Sequence, residues 1–305
     1  MDEIRCVKLL VVLGPTASGK TSLAVAVAKR LNGAIISADS RQVYRGMDIG
    51  TGKDLATYGD IPYYLIDVVD AGEQYHVTQY LADFRRAFDA ICQQGQQPIL
   101  CGGTGFYIQA VLQGFDYSIV PVDDALRKAL YPLPIEVLKQ KLLDLPIPPG
   151  FSADTSTQKR LIRAIEIATW CRHQSLPANP YPRIPAKIVG IDPPVDVRRQ
   201  RITDRLRQRL KGGLLEEVQR LLDNGIPPQR LVYYGLEYKY ATQYLLGEMD
   251  YDVFFTQLNT AIHRFAKRQM TYFRKMEKDG LNIHWLTNGT VDDLVEEVID
   301  HFRSA

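Results

Sequence analysis

The sequence predicts an α/β fold, a parallel sheet flanked by helices with a small helical domain inserted into it, and three observations carry that expectation. Strand-like apolar segments at 8–13, 34–38, 63–68 and 97–101 alternate with helix-compatible segments at 20–32, 77–94 and 105–113, which is the βαβ rhythm of a parallel sheet. From "QGFDYSIVPVDD" the texture changes, and prolines at 132, 134, 146, 148 and 149 cut the chain into short helices. "AKIVGID" (186–192) then reads as another core strand, followed by long amphipathic helices to about Lys278 and a late strand in "NIHWL" (282–286). The expected domains are therefore 1–117, the first part of a catalytic core; 118–185, a small inserted helical unit ending in the connection "SLPANPYPRIP"; and 186–305, the core resumed and mainly helical.

Composition bounds the rest. At 305 residues the chain can bury a large core and a smaller one without disulfides. Cys6, Cys92, Cys101 and Cys171 include no CxxC pair, and Cys92 and Cys101 sit in apolar runs, a usage that suits a reducing cytoplasm. No apolar run approaches the roughly 20 residues of a membrane span, and the start lacks the layout of a signal peptide. A cytoplasmic monomer with no membrane attachment is expected. The net charge is only +2, but residues 1–120 hold 10 Lys+Arg and 12 Asp+Glu against 27 and 23 in the remainder. The basic excess is concentrated in "RRQRITDRLRQRLK" (198–211) and "HRFAKRQMTYFRKMEK" (263–278). On charge alone such runs fit a solvated helix face and a nucleic-acid surface equally.

The element order begins with a phosphate loop. "VVLGPTASGKTSLAV" (11–25) places Gly14, Pro15, Thr16, Ala17, Ser18, Gly19, Lys20 and Thr21 between a strand and a helix, the context a P-loop requires. Glycines let successive N–H groups face one anion, the helix N-terminus adds positive potential, Lys20 adds a full charge, and Thr21 can ligate Mg²⁺. An NTPase, a small-molecule kinase and a transferase whose substrate ends in diphosphate all satisfy this loop. Two further strand ends are chemically loaded. "QPILCGGTGFYI" ends in glycines and Thr104 where a kinase or NTPase usually carries an acid. "AIISADSRQVYRGMDIGTGK" ends a strand at Asp39, Ser40, Arg41 and Gln42, where Asp39 could cap a helix, ligate magnesium or act as a general base.

Taken in order, "GPTASGKTSLA", "ISADSRQVYRGMDIGTGK", "LID", "PILCGGTGFYIQAVL", "QKRLIRAIEI" and "FAKRQMTYFRK" resemble the motif series of the tRNA dimethylallyltransferases, also called tRNA isopentenyltransferases, over most of the chain. The resemblance implies a P-loop NTPase-like sheet in which the loop holds the diphosphate of dimethylallyl diphosphate. The acceptor would be the exocyclic amine of an adenine next to the anticodon of tRNA. Asp39 would take the amine's proton and Thr104 would bridge the two substrates. Lys20, the P-loop amides and a Thr21-bound Mg²⁺ would stabilise the leaving group, with an arginine completing the clamp; Arg201 and Arg205, four residues apart on one helix face, both suit that role. For tRNA it implies Asp39, Ser40, Arg41 and Gln42 around a flipped adenine, together with Thr104, Arg127, Lys159, Arg160, Arg163, Lys267, Arg268, Gln269, Tyr272 and Arg274. Competing expectations are an ion pair of Arg163 with Glu166 and a core position for Phe273. Members commonly show two histidines before "LID" where this chain has Tyr63-Tyr64, and the inserted unit is short. The competing readings are an adenylate-type isopentenyltransferase acting on a free nucleotide, a P-loop nucleotide or metabolite kinase, and a non-catalytic RNA-binding protein with a relic P-loop.

Overall fold

The structure is a computed structural model that describes residues 8–114, 117, 120–148, 151, 153–174, 183–287 and 289–304. Cys6 and most of the 175–185 connection lie outside these residues. The chain forms two compact units, one made of 1–112 with 184–305 and the other of 113–183.

In the first unit the elements run β1 (Leu9–Leu13), α1 (Lys20–Leu31), β2 (Gly33–Ser37), β3 (Tyr44–Arg45), β4 (Tyr63–Tyr64), β5 (Val69–Asp70), α2 (Val77–Gln93), β6 (Gln97–Gly102) and α3 (Gly105–Gln113). The second unit contributes α4 (Asp124–Leu130), α5 (Ile135–Leu143) and α6 (Gln158–Cys171). The first unit then resumes with β7 (Ala186–Ile191), α7 (Val195–Lys211), α8 (Leu214–Asp223), α9 (Pro228–Tyr233), α10 (Leu236–Leu245), α11 (Tyr251–Lys278), β8 (Ile283–Leu286) and α12 (Val291–Arg303).

Six strands form one parallel sheet in the order β4-β2-β6-β1-β7-β8. Every residue of β1 is buried, because a central parallel strand is covered on both faces. Its odd residues Leu9, Val11 and Leu13 join a core with Tyr80 and Phe84 of α2, Tyr107 of α3 and Phe254 to Phe273 along α11. Its even residues Leu10 and Val12 join a second core with Leu23 and Val27 of α1 and Val295 and Val298 of α12. Thus the period-2 alternation of strand side chains seats helices on both faces.

The register aligns Leu13 with Gly102 and Gly190, and Ser37 with Cys101. The loops after β1, β2 and β6 therefore open at one edge of the sheet, the carboxyl edge where open α/β sheets bind ligands.

One expected strand is corrected. The segment 63–68 pairs with β2 only at Tyr63 and Tyr64, because Leu65 and Asp67 take left-handed backbone conformations, with φ of 62° and 57°, that a strand cannot continue. The chain turns there and starts β5, which pairs with β3 in a separate two-stranded sheet. Helix α12 was not expected. It opens with a capping box in which Thr290 and Asp293 satisfy each other's backbone N–H groups.

In the second unit Leu130, Leu138, Leu142, Leu161 and Ile165 form their own small core. Beside it lies Glu166, a buried carboxylate that accepts from Arg127 Nε and Nη2 at 2.8 and 2.9 Å, from Arg163 Nη1 at 3.3 Å and from the Asp123 N–H at 3.0 Å. Arg163 also donates to the carbonyls of Tyr117, Val120 and Pro121.

Candidate active site

The P-loop leaves β1 through Gly14 and turns back into α1 by way of Ala17 and Gly19, both at positive φ (60° and 90°). That pair of left-handed residues tightens the turn in front of the first turn of α1, where a helix N-terminus favours an anion. Lys20 folds back over the loop and donates to the Pro15 carbonyl at 3.3 Å. Burial pushes its ammonium below the ordinary lysine value, with Arg205 and Arg209 pushing the same way and Cys101 and Asp39 acting against them. A cation held in this state gains from an arriving anion.

The loop is fixed from outside by α11. The Gln269 side chain accepts from the Thr16 N–H at 2.8 Å and donates to the Gly103 carbonyl at 2.9 Å, tying the P-loop to the "CGGTGF" turn. That turn has no room for side chains at its glycines. A Cβ on Gly102 would lie 2.2 Å from the Ala38 carbonyl oxygen, and one on Gly105 would lie 2.4 Å from the Tyr272 ring. The Thr104 N–H donates to the Ala38 carbonyl at 3.0 Å, and its hydroxyl accepts from the Ser40 N–H at 3.0 Å. The turns after β2 and β6 are thereby stitched together, with Asp39 between them.

Asp39 uses one carboxylate oxygen to accept from the Arg41 N–H at 2.9 Å, an Asx-turn, and faces the cavity. Gln42 accepts from Ser37 Oγ at 2.9 Å and donates to the Gly52 carbonyl at 3.0 Å. The 48–52 loop it reaches is held by two buried ions. Lys53 pairs with Asp67 and with Asp48 at 2.5 Å. Glu217 of α8 accepts from the N–H groups of Asp48, Ile49 and Gly50 at 2.8, 2.8 and 3.0 Å and from the Tyr238 hydroxyl at 2.7 Å. The motifs "DIGTGK" and "LID" meet at Lys53 and Asp67.

These pieces enclose a cavity of about 560 Å³. One end is cationic, with Lys20, Arg205 and Arg209. Arg205 pairs with Asp54, and Arg209 with Glu237 at 3.1 Å. Burial, then the neighbouring Arg205, draws the Arg209 guanidinium below its usual value, and its Nε is buried with no hydrogen-bond partner among the described residues. The mouth is aromatic, with Phe106, Tyr233 and Phe265 all exposed. The Arg41 guanidinium sits 5.2 Å from the Tyr233 ring centre, within cation–π range. Cys101 also lines the cavity, but burial drives its thiol up to about 12, so it stays protonated and is no nucleophile.

Of the sequence-based site residues, the cavity gathers Thr16, Lys20, Thr21, Asp39, Ser40, Arg41, Gln42, Thr104, Arg205, Arg268, Gln269 and Tyr272. Arg201 is exposed and outside the lining; the arginine that stands with Arg205 is Arg209, one turn further along α7. Phe273 is fully buried in the core. Lys159 and Arg160 are exposed on α6, Arg160 paired with Asp154 at 2.9 Å, whereas Arg127 and Arg163 are engaged with Glu166. Tyr63 packs its ring 4.8 Å from Tyr58. Sequence reading missed Arg209, Tyr233, Glu237 and Glu217. "QRLVYYGLEY" carries an unusual density of aromatics, which was the one available signal. No helix of the described residues is long and apolar enough to cross a membrane.

Fold and site together define an α/β protein in which a glycine-rich loop of P-loop pattern opens into one cavity with a carboxylate and an aromatic mouth. The IPP transferase family matches residues 42–276, and the isopentenyl transferase family matches residues 7–58. The chain is 50% identical over 282 residues to tRNA dimethylallyltransferase 2 of Bacteroides fragilis, covering 91% of this chain and 92% of that one. It is 49% identical over 288 residues to tRNA dimethylallyltransferase 1 of Geotalea uraniireducens, covering 94% and 95%. The crystal structure of the full-length tRNA isopentenylpyrophosphate transferase from Bacillus halodurans superposes with a TM-score of 0.72 at 33% identity, covering 97% and 95%. The chain belongs to the tRNA dimethylallyltransferase family of prenyl-transferring enzymes.

Proposed function

We propose that the protein transfers the dimethylallyl group of dimethylallyl diphosphate to the exocyclic amine of an adenine beside the anticodon in tRNA, releasing diphosphate. The observation that carries this is the single cavity in which the P-loop cations and Asp39 face the same space.

The diphosphate sits on the P-loop amides with Lys20, Arg205 and Arg209 around it. As the carbon–oxygen bond to the allylic carbon breaks, negative charge builds on the departing oxygen, and these fixed cations stabilise it. The adenine amine attacks the allylic carbon, and Asp39 takes the amine proton as the carbon–nitrogen bond forms. Thr104, already bonded to the Ser40 N–H, keeps the Asp39 turn in register with the donor. Arg41, Tyr233 and Phe265 provide a charged and an aromatic surface for an extruded base.

A magnesium ion fits this donor set through the Thr21 hydroxyl at the head of α1. The described residues hold no group of three or more His, Cys, Asp or Glu that could grip a metal, so its other ligands would be diphosphate oxygens and water. Bound there, it would add positive charge beside the leaving group.

Incubation with unmodified tRNA and labelled dimethylallyl diphosphate tests the proposal, with AMP and ATP as competing acceptors. Label in tRNA alone is expected. Label in AMP or ATP instead would assign the chain to free-nucleotide chemistry.

A further inference from the structure

Helix α11 has two occupied sides. Phe265, Gln269 and Tyr272 line the reaction cavity, while Arg264, Lys267, Met270 and Arg274 line a second concavity of about 460 Å³ whose opposite wall is α7. Its floor is apolar, formed by the buried Ile202, Ala266 and Met270. Its walls carry five cations, Arg198, Arg199, Arg264, Lys267 and Arg274, against the one carboxylate of Asp192. Asp192 is engaged by Arg198 at 3.0 Å and lies 3.8 Å from Arg274. Arg199, Arg264 and Lys267 are exposed, and none has a carboxylate partner among the described residues.

A helix face that serves only solubility intersperses both signs three and four residues apart, as α7 does where Arg207 pairs with Asp204. The α7–α11 groove departs from that pattern, and a concave wall of one sign focuses the field on whatever enters. The one other titratable group facing the groove from these helices, His263, is held below its ordinary value by burial and by Arg199 and Arg198, so the cations dominate.

We propose that this groove is a phosphate track for the sugar-phosphate backbone of the substrate RNA, a surface separate from the cavity that receives the base. The inference rests on the tRNA reading above. The two concavities are separated by the width of α11, about 10–12 Å for a helix with its side chains, so a strand with one base in the cavity reaches the groove within a few nucleotides. Contacts of this kind give affinity and register but no sequence choice. The groove therefore sets how tightly tRNA is held, and the cavity sets which base reacts.

The test is the double variant Arg199→Gln/Arg264→Gln, both residues being exposed and outside the reaction cavity. Filter binding of tRNA across a range of salt concentrations is expected to show weaker affinity and a log–log salt slope shallower by about 1.4, the value for two single-strand phosphate contacts. The KM for dimethylallyl diphosphate and kcat at saturating tRNA stay at wild-type values, and Arg199→Lys/Arg264→Lys restores the slope. A Gln variant with wild-type slope and affinity, or a Lys variant that fails to restore them, would overturn the groove while leaving the transfer reaction standing. Wild-type protein that neither binds nor modifies tRNA would overturn both.

Discussion

Gln269 donates from its side-chain amide to the Gly103 carbonyl at 2.9 Å, and the other end of the same amide accepts from the Thr16 N–H. A single residue of α11 thereby fixes the distance between the P-loop and the turn carrying Thr104. Gln269→Glu keeps an acceptor for Thr16 but loses the donor to Gly103 and sets a negative charge beside the proposed diphosphate site. It is expected to lower kcat/KM for the donor by at least tenfold, which corresponds to roughly 1.4 kcal/mol. Steady-state kinetics at saturating tRNA measure this, and an unchanged kcat/KM would show that the clamp is dispensable.

Asp39→Asn should leave tRNA affinity within a few-fold and slow the chemical step by about 10²- to 10⁴-fold, the usual contribution of a general base. The Asx-turn to the Arg41 N–H survives in Asn, so the effect isolates proton acceptance from loop geometry. Single-turnover rates with pre-bound tRNA are the readout; a wild-type rate would remove Asp39 from the chemistry.

Arg209→Met removes one of the three cations at the cationic end of the cavity and is expected to raise the donor's Kd by about 10- to 100-fold, in line with the roughly 1.5–3 kcal/mol of a charged hydrogen bond. Arg201→Met, on the exposed part of α7, should leave the donor Kd unchanged. Equal effects from the two would mean that the cavity wall does not begin at Arg205.

Gly102→Ala must displace the Ala38 carbonyl, whose oxygen would lie 2.2 Å from the new methyl. Overpacking of this kind costs about 1–3 kcal/mol, and it shifts the same carbonyl that holds the Thr104 N–H. Both Tm and activity should fall. Gly59→Ala, at a positive φ but with open space around it, should lower Tm modestly and spare activity. Calorimetry and turnover on the two variants separate crowding from backbone strain.

Arg127→Ala leaves Glu166 with Arg163 and one backbone N–H in a buried setting. Partial loss of a buried carboxylate's partners costs roughly 1–3 kcal/mol, so the 113–183 unit should unfold at lower denaturant than in wild type. Hydrogen exchange resolved by peptide would locate the loss in α4 and α6; uniform protection throughout would contradict it.

What the sequence made legible was local. The continuous apolar run of β1, the glycine-rich turn and the opening of α1 lie within fourteen residues, Leu9 to Ser22, so strand, loop and helix all announce themselves. Asp39 and Thr104 were readable because each follows its strand directly. The segment 63–68 is apolar enough for a strand, but Leu65 and Asp67 adopt left-handed conformations and Asp67 pairs with Lys53, fourteen residues away, which no local pattern reports. Arg201, Arg205 and Arg209 form one stripe by spacing; where along the stripe the cavity begins depends on how α7 lies against the 48–54 loop. Glu217 bonds three amides some 168 residues earlier in the chain, which periodicity cannot encode.

The strand order has a consequence for synthesis on the ribosome. β1 sits between β6 and β7, and β7 follows the whole 113–183 unit in the chain. While that unit is being made, the nascent protein can pair β4, β2, β6 and β1, but the far side of β1, a strand with no polar side chain, has no neighbour. An unpaired apolar edge is a template for association with other chains. Chains halted before Ala186 should therefore need chaperone cover, and release from it should coincide with the emergence of "AKIVGI".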